Sequence, residues 1–343
     1  MKKRIPCFKF SSGGMKHRRG KGVFSGRFSA VSFSDSSFRI LAFCSAFLIL
    51  LLTAGFFLQM GIGSYPAWEK FGISMIWSCE WDPEAGRCGV LPAIAGTLLT
   101  SALAMAIAVP AAFVTAFCLT EAPPYVGAVL GCALDLLAAI PSIIYGMWGL
   151  FVLAPLMQNH VQVFLAETLK LKYLPFVGEP GSGFGFLTAG LILALMILPY
   201  ISAVMRDVFR MTPPMLRESA FGIGCTRWET ALDIVMKHGA RGVAGGVFIG
   251  LGRALGETMA VLFVIGNIPL LPDSLFSCGS TIASTIANNF AEADGIQRNA
   301  LFALGLILLL MSFGAQFLAQ YWLTRSVAME GKEKRRSAKT DDF

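Results

Sequence analysis

Charge is scarce in this chain. Only 14% of its 343 residues are charged while 55% are hydrophobic, and the mean hydropathy is +0.65. That balance excludes an ordinary soluble domain. No G-x-x-x-x-G-K-[ST] loop occurs, so nothing here cradles ATP in the usual way. The eight cysteines include no C-x-x-C pair, and the three histidines (His17, His160, His238) are scattered over expected loops and tails, which argues against a metal centre and against nucleophile-and-base chemistry. The period-2 alternation of a membrane barrel is also missing. The first apolar run is too long for a cleavable signal peptide and lacks a small-residue cleavage site.

What is present is a series of apolar runs of about 20 residues, the length that crosses a bilayer core of roughly 30 Å. Six are expected to span, near 40–60, 91–118, 127–157, 185–205, 243–266 and 300–323. Backbone groups find no water in hydrocarbon, so each run reads as a helix, and the fold class is an all-α membrane protein. Pro110, Pro141 and Pro155 predict kinks or re-entrant ends in the second and third runs. Lys and Arg number ten over residues 1–39, six over 206–242 and six over 324–343, against five in all the loops of the other side. The positive-inside rule therefore puts both termini and the 206–242 loop in the cytoplasm. Because the basic excess sits beside helix ends, topology accounts for it without nucleic acid. Residues 1–38 read as a basic, disordered tail, 39–323 as the membrane domain and 324–343 as a second basic tail.

Other features stay open on sequence alone. Cys79 and Cys88 share an expected external loop and either form a disulfide or stay free, with Cys278 a competing partner. Segment 158–184 is either an interfacial amphipathic helix or a plain connector. Ser280, Thr281, Ser284, Thr285 and Asn288 either line an external gate or only furnish a polar helix surface. Asp135, an acid within the third run, reads as scaffold near a hydrated face.

The 206–242 loop predicts two short helices joined at glycines. One starts at Thr212-Pro213, carries Leu216, Ala220 and Ile223 on one face, and ends at Gly222 and Gly224. The second starts at Thr226, where T-R-W-E spells a capping box with Glu229, and its apolar face is Trp228, Ala231, Leu232 and Val235. Such a unit either covers helix ends or docks a soluble partner.

The fifth run places Gly242, Gly246, Gly250 and Ala254 at four-residue intervals, a stripe that lets a neighbouring helix come close. On a continuous helix Arg253 and Glu257 share nearly the same face as that stripe, near the midplane and turned into the bundle. Central charges each cost about 2.5–3.5 kcal/mol on insertion scales. Either the two pin one helix to the next, or Arg253 offers its donor fork to a passing oxyanion while Glu257 orients and balances it.

Glu218-Ser219-Ala220, then Gly224 and Ile234 at the spacing E-A-A-x3-G-x9-I, resemble the coupling loop of ABC importer permeases, with Ser219 for the second alanine and Met236-Lys237 for the usual Leu-Pro. The string Gly252 to Val261, Gly266-Asn267, Pro141 to Pro155 and "TIANNFAEA" closely resemble the PstC family, one of the two permease families of the bacterial phosphate ABC importer, over about Phe71 to Tyr321. The sister PstA family typically has proline after G-E-T-A, where this chain has Met259-Ala260-Val261. The resemblance implies a six-transmembrane-helix type I ABC importer permease, N-in and C-in, in the bacterial cytoplasmic membrane. It implies a PstA-like second permease, an ATP-binding cassette dimer that holds the ATP, an external phosphate-binding protein, and no cofactor in this chain. It also implies that Arg253 and Glu257 line the substrate pathway and that Glu218, Ala220, Gly224, Thr226, Glu229 and Ile234 belong to the ATPase-coupling loop. A permease for another oxyanion or a PstA-like role is the near alternative, and a channel or secondary transporter with a proton relay the distant one.

Overall fold

The computed structural model describes residues 27–82, 86–168 and 178–340. Most of the expected disordered tail, residues 1–26, and the middle of the 158–184 segment lie outside them. The chain divides into two compact units, residues 1–57 and 58–343. Helix α1 (Arg27–Phe71) begins inside the stretch expected to be disordered, so residues 27–38 are helical, and its apolar side chains from Phe38 to Phe56 are exposed. A hairpin follows, with β1 (Trp81–Asp82) antiparallel to β2 (Arg87–Cys88).

Helix α2 (Leu91–Glu121) carries Ala104, Ala108, Ala112 and Ala116 at four-residue intervals, each wholly buried. This alanine ridge lies in the main core with α5 (Phe186–Arg210), whose Gly190 leaves room for Leu103. Pro110 lies inside α2 without ending it.

The expected third span, 127–157, is not one helix. It divides into α3 (Pro124–Ala139) and α4 (Ser142–Ala166), with Ile140 extended at ψ 125° between them. Proline disfavours the helical region for the residue before it, and Pro141 imposes that on Ile140. Two tyrosines reach the carbonyls at this elbow: Tyr145 Oη donates to Leu137 O at 2.7 Å, which also accepts from Ile140 N, and Tyr200 Oη donates to Ala138 O at 3.2 Å. α4, partly wound as π-helix, passes well beyond the expected end at 157.

The 206–242 stretch carries α6 (Pro214–Gly222). A short turn (Arg227–Glu229) and a π-helical segment (Thr230–Val235) then lead without a break into α7 (Met236–Leu255). The expected fifth span, 243–266, is also corrected: α7 stops at Leu255, and the one-turn helix α8 (Met259–Leu262) follows. Gly256, the poorest helix former after proline, stands at the break. After a pinned loop come α9 (Ile282–Asn289) and α10 (Gly295–Thr340), so the backbone of the expected tail continues the last helix. Among the described residues five helices are long and apolar enough to cross a membrane: Ser37–Phe71, Leu91–Glu121, Ser142–Ala166, Phe186–Arg210 and Gly295–Tyr321. The two expected spans that do not qualify as drawn are the two that a proline or glycine interrupts.

Candidate functional site

The glycine stripe of α7 packs as expected. A methyl group at Gly246 would meet Val204 and one at Gly250 would fall 2.5 Å from Ile201 Cδ1, so only glycine lets α7 lie this close on α5. Close approach carries Arg253, in the last turn of α7, over the ring of Tyr200 in α5, with the guanidinium carbon 4.2 Å from the ring centroid. Tyr200 is tied in turn to the α3–α4 elbow through Ala138 O. Arg253 is exposed in the single subunit and makes no hydrogen bond within the described residues. Its fork of donors is held by its face and left open at its edge.

Glu257 does not share that face. The helix ends between the two residues, and Glu257 Oε1 instead accepts from Ala260 N at 3.3 Å, capping α8. The expected i, i+4 arrangement therefore does not form, and no ion pair links Arg253 to Glu257. The physical reason is Gly256: once the helical rotation is lost, a four-residue spacing no longer stacks side chains. Irregular backbone at membrane depth is tolerated where it is buried in protein or lines a cavity.

The expected capping box is present. Thr226 Oγ1 accepts from Glu229 N at 3.3 Å, and Glu229 Oε2 accepts from Thr226 N at 2.7 Å. The Thr226 backbone N–H, then its hydroxyl, holds the Glu229 carboxyl below the usual carboxylate range. Ala220 is buried, Glu218 exposed, Ile234 half-buried, and Gly224 takes φ +95°, a left-handed turn that suits glycine. Ile223 is corrected: it is 82% exposed and off the packed face, because α6 ends at Gly222. Met211, Met215 and Phe221 are exposed on the same loop.

Sequence reasoning missed how this loop is fastened. Arg217 Nη1 pairs with Glu121 Oε1 at 2.6 Å and its Nη2 donates to Phe209 O, while Arg227 donates to Glu121 O at 3.2 Å. Trp228 stands edge-on to both Phe113 and Phe117 of α2, at 5.8 and 5.0 Å between centroids. A lone acid at the end of α2 and a tryptophan after the threonine cap were the available signals, but pairings across 96 residues leave no local pattern.

Elsewhere, Cys79, Cys88 and Cys278 are free. Thr281 and Ser284 cap α9 reciprocally, which accounts for much of the polarity considered for a gate. Asp135 is exposed on α3.

Residues 108–327 match the family described as "Binding-protein-dependent transport system inner membrane component". Among similar proteins, the phosphate transport system permease protein PstC of Pasteurella multocida is 48% identical, covering 84% of this chain and 91% of that one. PstC of Haemophilus influenzae is 45% identical over 87% and 96% of the two chains, and a probable PstC of Methanocaldococcus jannaschii 33% over 81% and 89%. In fold, the chain resembles a subunit of a bacterial ABC transporter that imports alginate, with TM-score 0.58 and 18% identity over 87% of this chain and 98% of that one.

Proposed function

Since the chain belongs to the family of binding-protein-dependent transport system inner membrane components and is a permease subunit of an ATP-driven phosphate importer of the inner membrane, we propose that Arg253 meets the phosphate ion within the membrane. The chain is not an enzyme by itself, and ATP hydrolysis belongs to a separate subunit. The observation that carries the proposal is the guanidinium stacked on Tyr200, edge free, beside a break in the helix that bears it. One stacked arginine attracts an oxyanion without enclosing it, and a pathway has to bind weakly enough to release. Glu257 organises the broken backbone by capping α8 and places a negative charge beyond Arg253, which hastens departure of an anion.

The partners in this reading are a PstA-like permease, a dimer of ATP-binding subunits seated on the 211–229 loop, and an external binding protein that delivers phosphate, with both termini of this chain cytoplasmic. The exposed Met211, Met215, Phe221 and Ile223 provide an apolar contact for the motor, with Glu218 beside them. Helical backbone runs from Arg227 to Leu255, roughly 40 Å, so a push on the loop reaches Arg253 along one rod. The Glu121 latch carries the same push into α2. Alternating access by rocking of packed helices follows.

The test is reconstitution of the assembled transporter in proteoliposomes. Arg253→Gln is expected to abolish ATP-driven phosphate uptake with the complex intact, and Arg253→Lys to retain part of it. Uptake by Arg253→Gln at the wild-type rate overturns the pathway role, and loss of assembly instead assigns the arginine to packing.

A further inference from the structure

We propose that Gln316, in α10, is a positioning residue for phosphate passage: its amide fixes the last turn of α7 and so aims the Arg253 guanidinium. This rests on the reading of Arg253 above and adds the contact that holds the arginine from the side away from α5.

Gln316 differs from its surroundings. It lies within an apolar span of α10, where Ser312 is the one other polar side chain from Ala300 to Ala319. A carboxamide inside a membrane is unfavourable unless its donors find acceptors, and Gln316 Nε2 donates to Phe248 O of α7 at 3.1 Å. A carbonyl only accepts, so the nitrogen of the amide and not its oxygen faces α7.

Gly252 makes room for that amide. A Cβ at 252 would lie 2.2 Å from Gln316 Nε2, so any larger residue expels the amide from its slot. The glutamine side chain can swing away, and what a methyl group removes is therefore the hydrogen bond. Phe248 and Gly252 are one helical turn apart, so the amide grips the turn that leads directly into Arg253.

The two contacts of this turn oppose each other. At about 100° per residue, position 252 faces roughly 200° away from position 250, which lies against Ile201 of α5. Arg253 projects between those directions. The turn is clamped from α5 through the glycine stripe and from α10 through Gln316. Helix ends fray, and Arg253 lies in the last turn of α7, which stops at Leu255. Tyr200 steadies the plane of the guanidinium, and Gln316 steadies the backbone that carries it.

Interhelical hydrogen bonds in membranes shift an equilibrium by about threefold on average and by up to about 20-fold. Gln316→Ala is therefore expected to lower ATP-driven phosphate uptake by about 3- to 20-fold in proteoliposomes, at equal amounts of assembled transporter. Gly252→Ala keeps the glutamine but displaces its amide, and should lose a similar factor. The double variant should be no worse than Gln316→Ala, because the methyl group enters space already vacated. In Arg253→Lys, whose ammonium is a point charge with no plane to aim, Gln316→Ala should lower uptake by less than about twofold. Tyr200→Leu provides the same comparison if lysine leaves no uptake.

Unchanged uptake in Gln316→Ala, or losses that multiply in the double variant, would overturn the assignment. An undiminished loss in the Arg253→Lys background would leave Gln316 to packing alone and overturn it as well. If Gln316→Ala does not assemble, Gly252→Ala in the wild-type and Arg253→Lys backgrounds decides in its place. Arg253→Gln separates the two readings: uptake at the wild-type rate sinks the pathway role and this inference with it. No uptake by Arg253→Gln beside full uptake by Gln316→Ala sinks the positioning role alone.

Discussion

The Arg253 guanidinium lies over the Tyr200 ring, and the Tyr200 hydroxyl reaches to Ala138 O, so one side chain joins the charged end of α7 to the elbow between α3 and α4. Stacking steadies the guanidinium plane without consuming its N–H donors. A cation over an aromatic face is worth about 0.5–2 kcal/mol, the upper end when desolvated. Tyr200→Phe keeps the ring and is expected to hold phosphate uptake within about threefold of wild type. Tyr200→Leu removes the platform and should lower uptake by roughly 3- to 30-fold at equal amounts of assembled complex. Initial rates in proteoliposomes check both, and equal losses would assign the effect to the hydroxyl and the elbow instead.

A second relationship fastens the loop proposed to face the motor. Arg217 and Glu121 are each about one-fifth exposed, and Arg217 also reaches Phe209 O while Arg227 reaches Glu121 O. Glu121→Gln keeps size and shape but gives up the charge. Partial burial with added hydrogen bonds puts the loss at about 1 kcal/mol, above a fully exposed pair. ATP hydrolysis is expected to persist in this variant while phosphate moved per ATP falls several-fold. Measuring both on one preparation checks the latch, and an unchanged ratio excludes it.

The residues themselves show what was legible beforehand. The capping box at Thr226 and Glu229 and the glycine stripe on α7 were readable because caps and helix faces are local patterns of three or four residues. Pro141 signals a kink, but hydropathy averages over a break and does not show that the span divides there. Gly256 is less visible still: a single glycine among apolar neighbours does not announce the end of a helix, so the sequence alone puts Arg253 and Glu257 on one face. Tyr200 under Arg253 and Trp228 between two phenylalanines are tertiary contacts, which depend on how helices cross and not on any spacing along the chain.

Protonation of Glu229 offers a pH-dependent test of the proposed coupling role of this loop. Its carboxyl is held below the ordinary value of 4.5 by the Thr226 backbone N–H first and the hydroxyl second. A depressed folded value means that the capping contribution is complete above the unfolded value and is lost as pH falls through the folded one. ATPase coupling should therefore be flat through neutral pH and fall only on acidification below about 4.5. Glu229→Gln is expected to show at neutral pH the weakened coupling that wild type reaches in acid, with little further acid dependence from this group. Transport per ATP across pH checks it, and a midpoint near neutrality would assign the dependence to another group.

Gly96 tests whether the 266–280 segment must sit tight against α2. A Cβ there would strike the Ser280 carbonyl, a backbone atom that cannot rotate away, and would also crowd the Phe186 ring. Gly245, on α7, has nothing within 4 Å of the same added atom. Alanine favours helix over glycine by about 1 kcal/mol, so Gly245→Ala should be neutral or slightly stabilising. At Gly96 that gain is offset by overpacking of about 1–3 kcal/mol, and Ser280 has to shift. Gly96→Ala is therefore expected to lower thermal stability or, if the segment yields, to cut phosphate uptake while ATP hydrolysis continues. Melting of the detergent-solubilised transporter and uptake at a fixed amount of complex distinguish those outcomes. A Gly96→Ala protein as stable and active as Gly245→Ala would mean that the close approach of α2 to Ser280 constrains nothing.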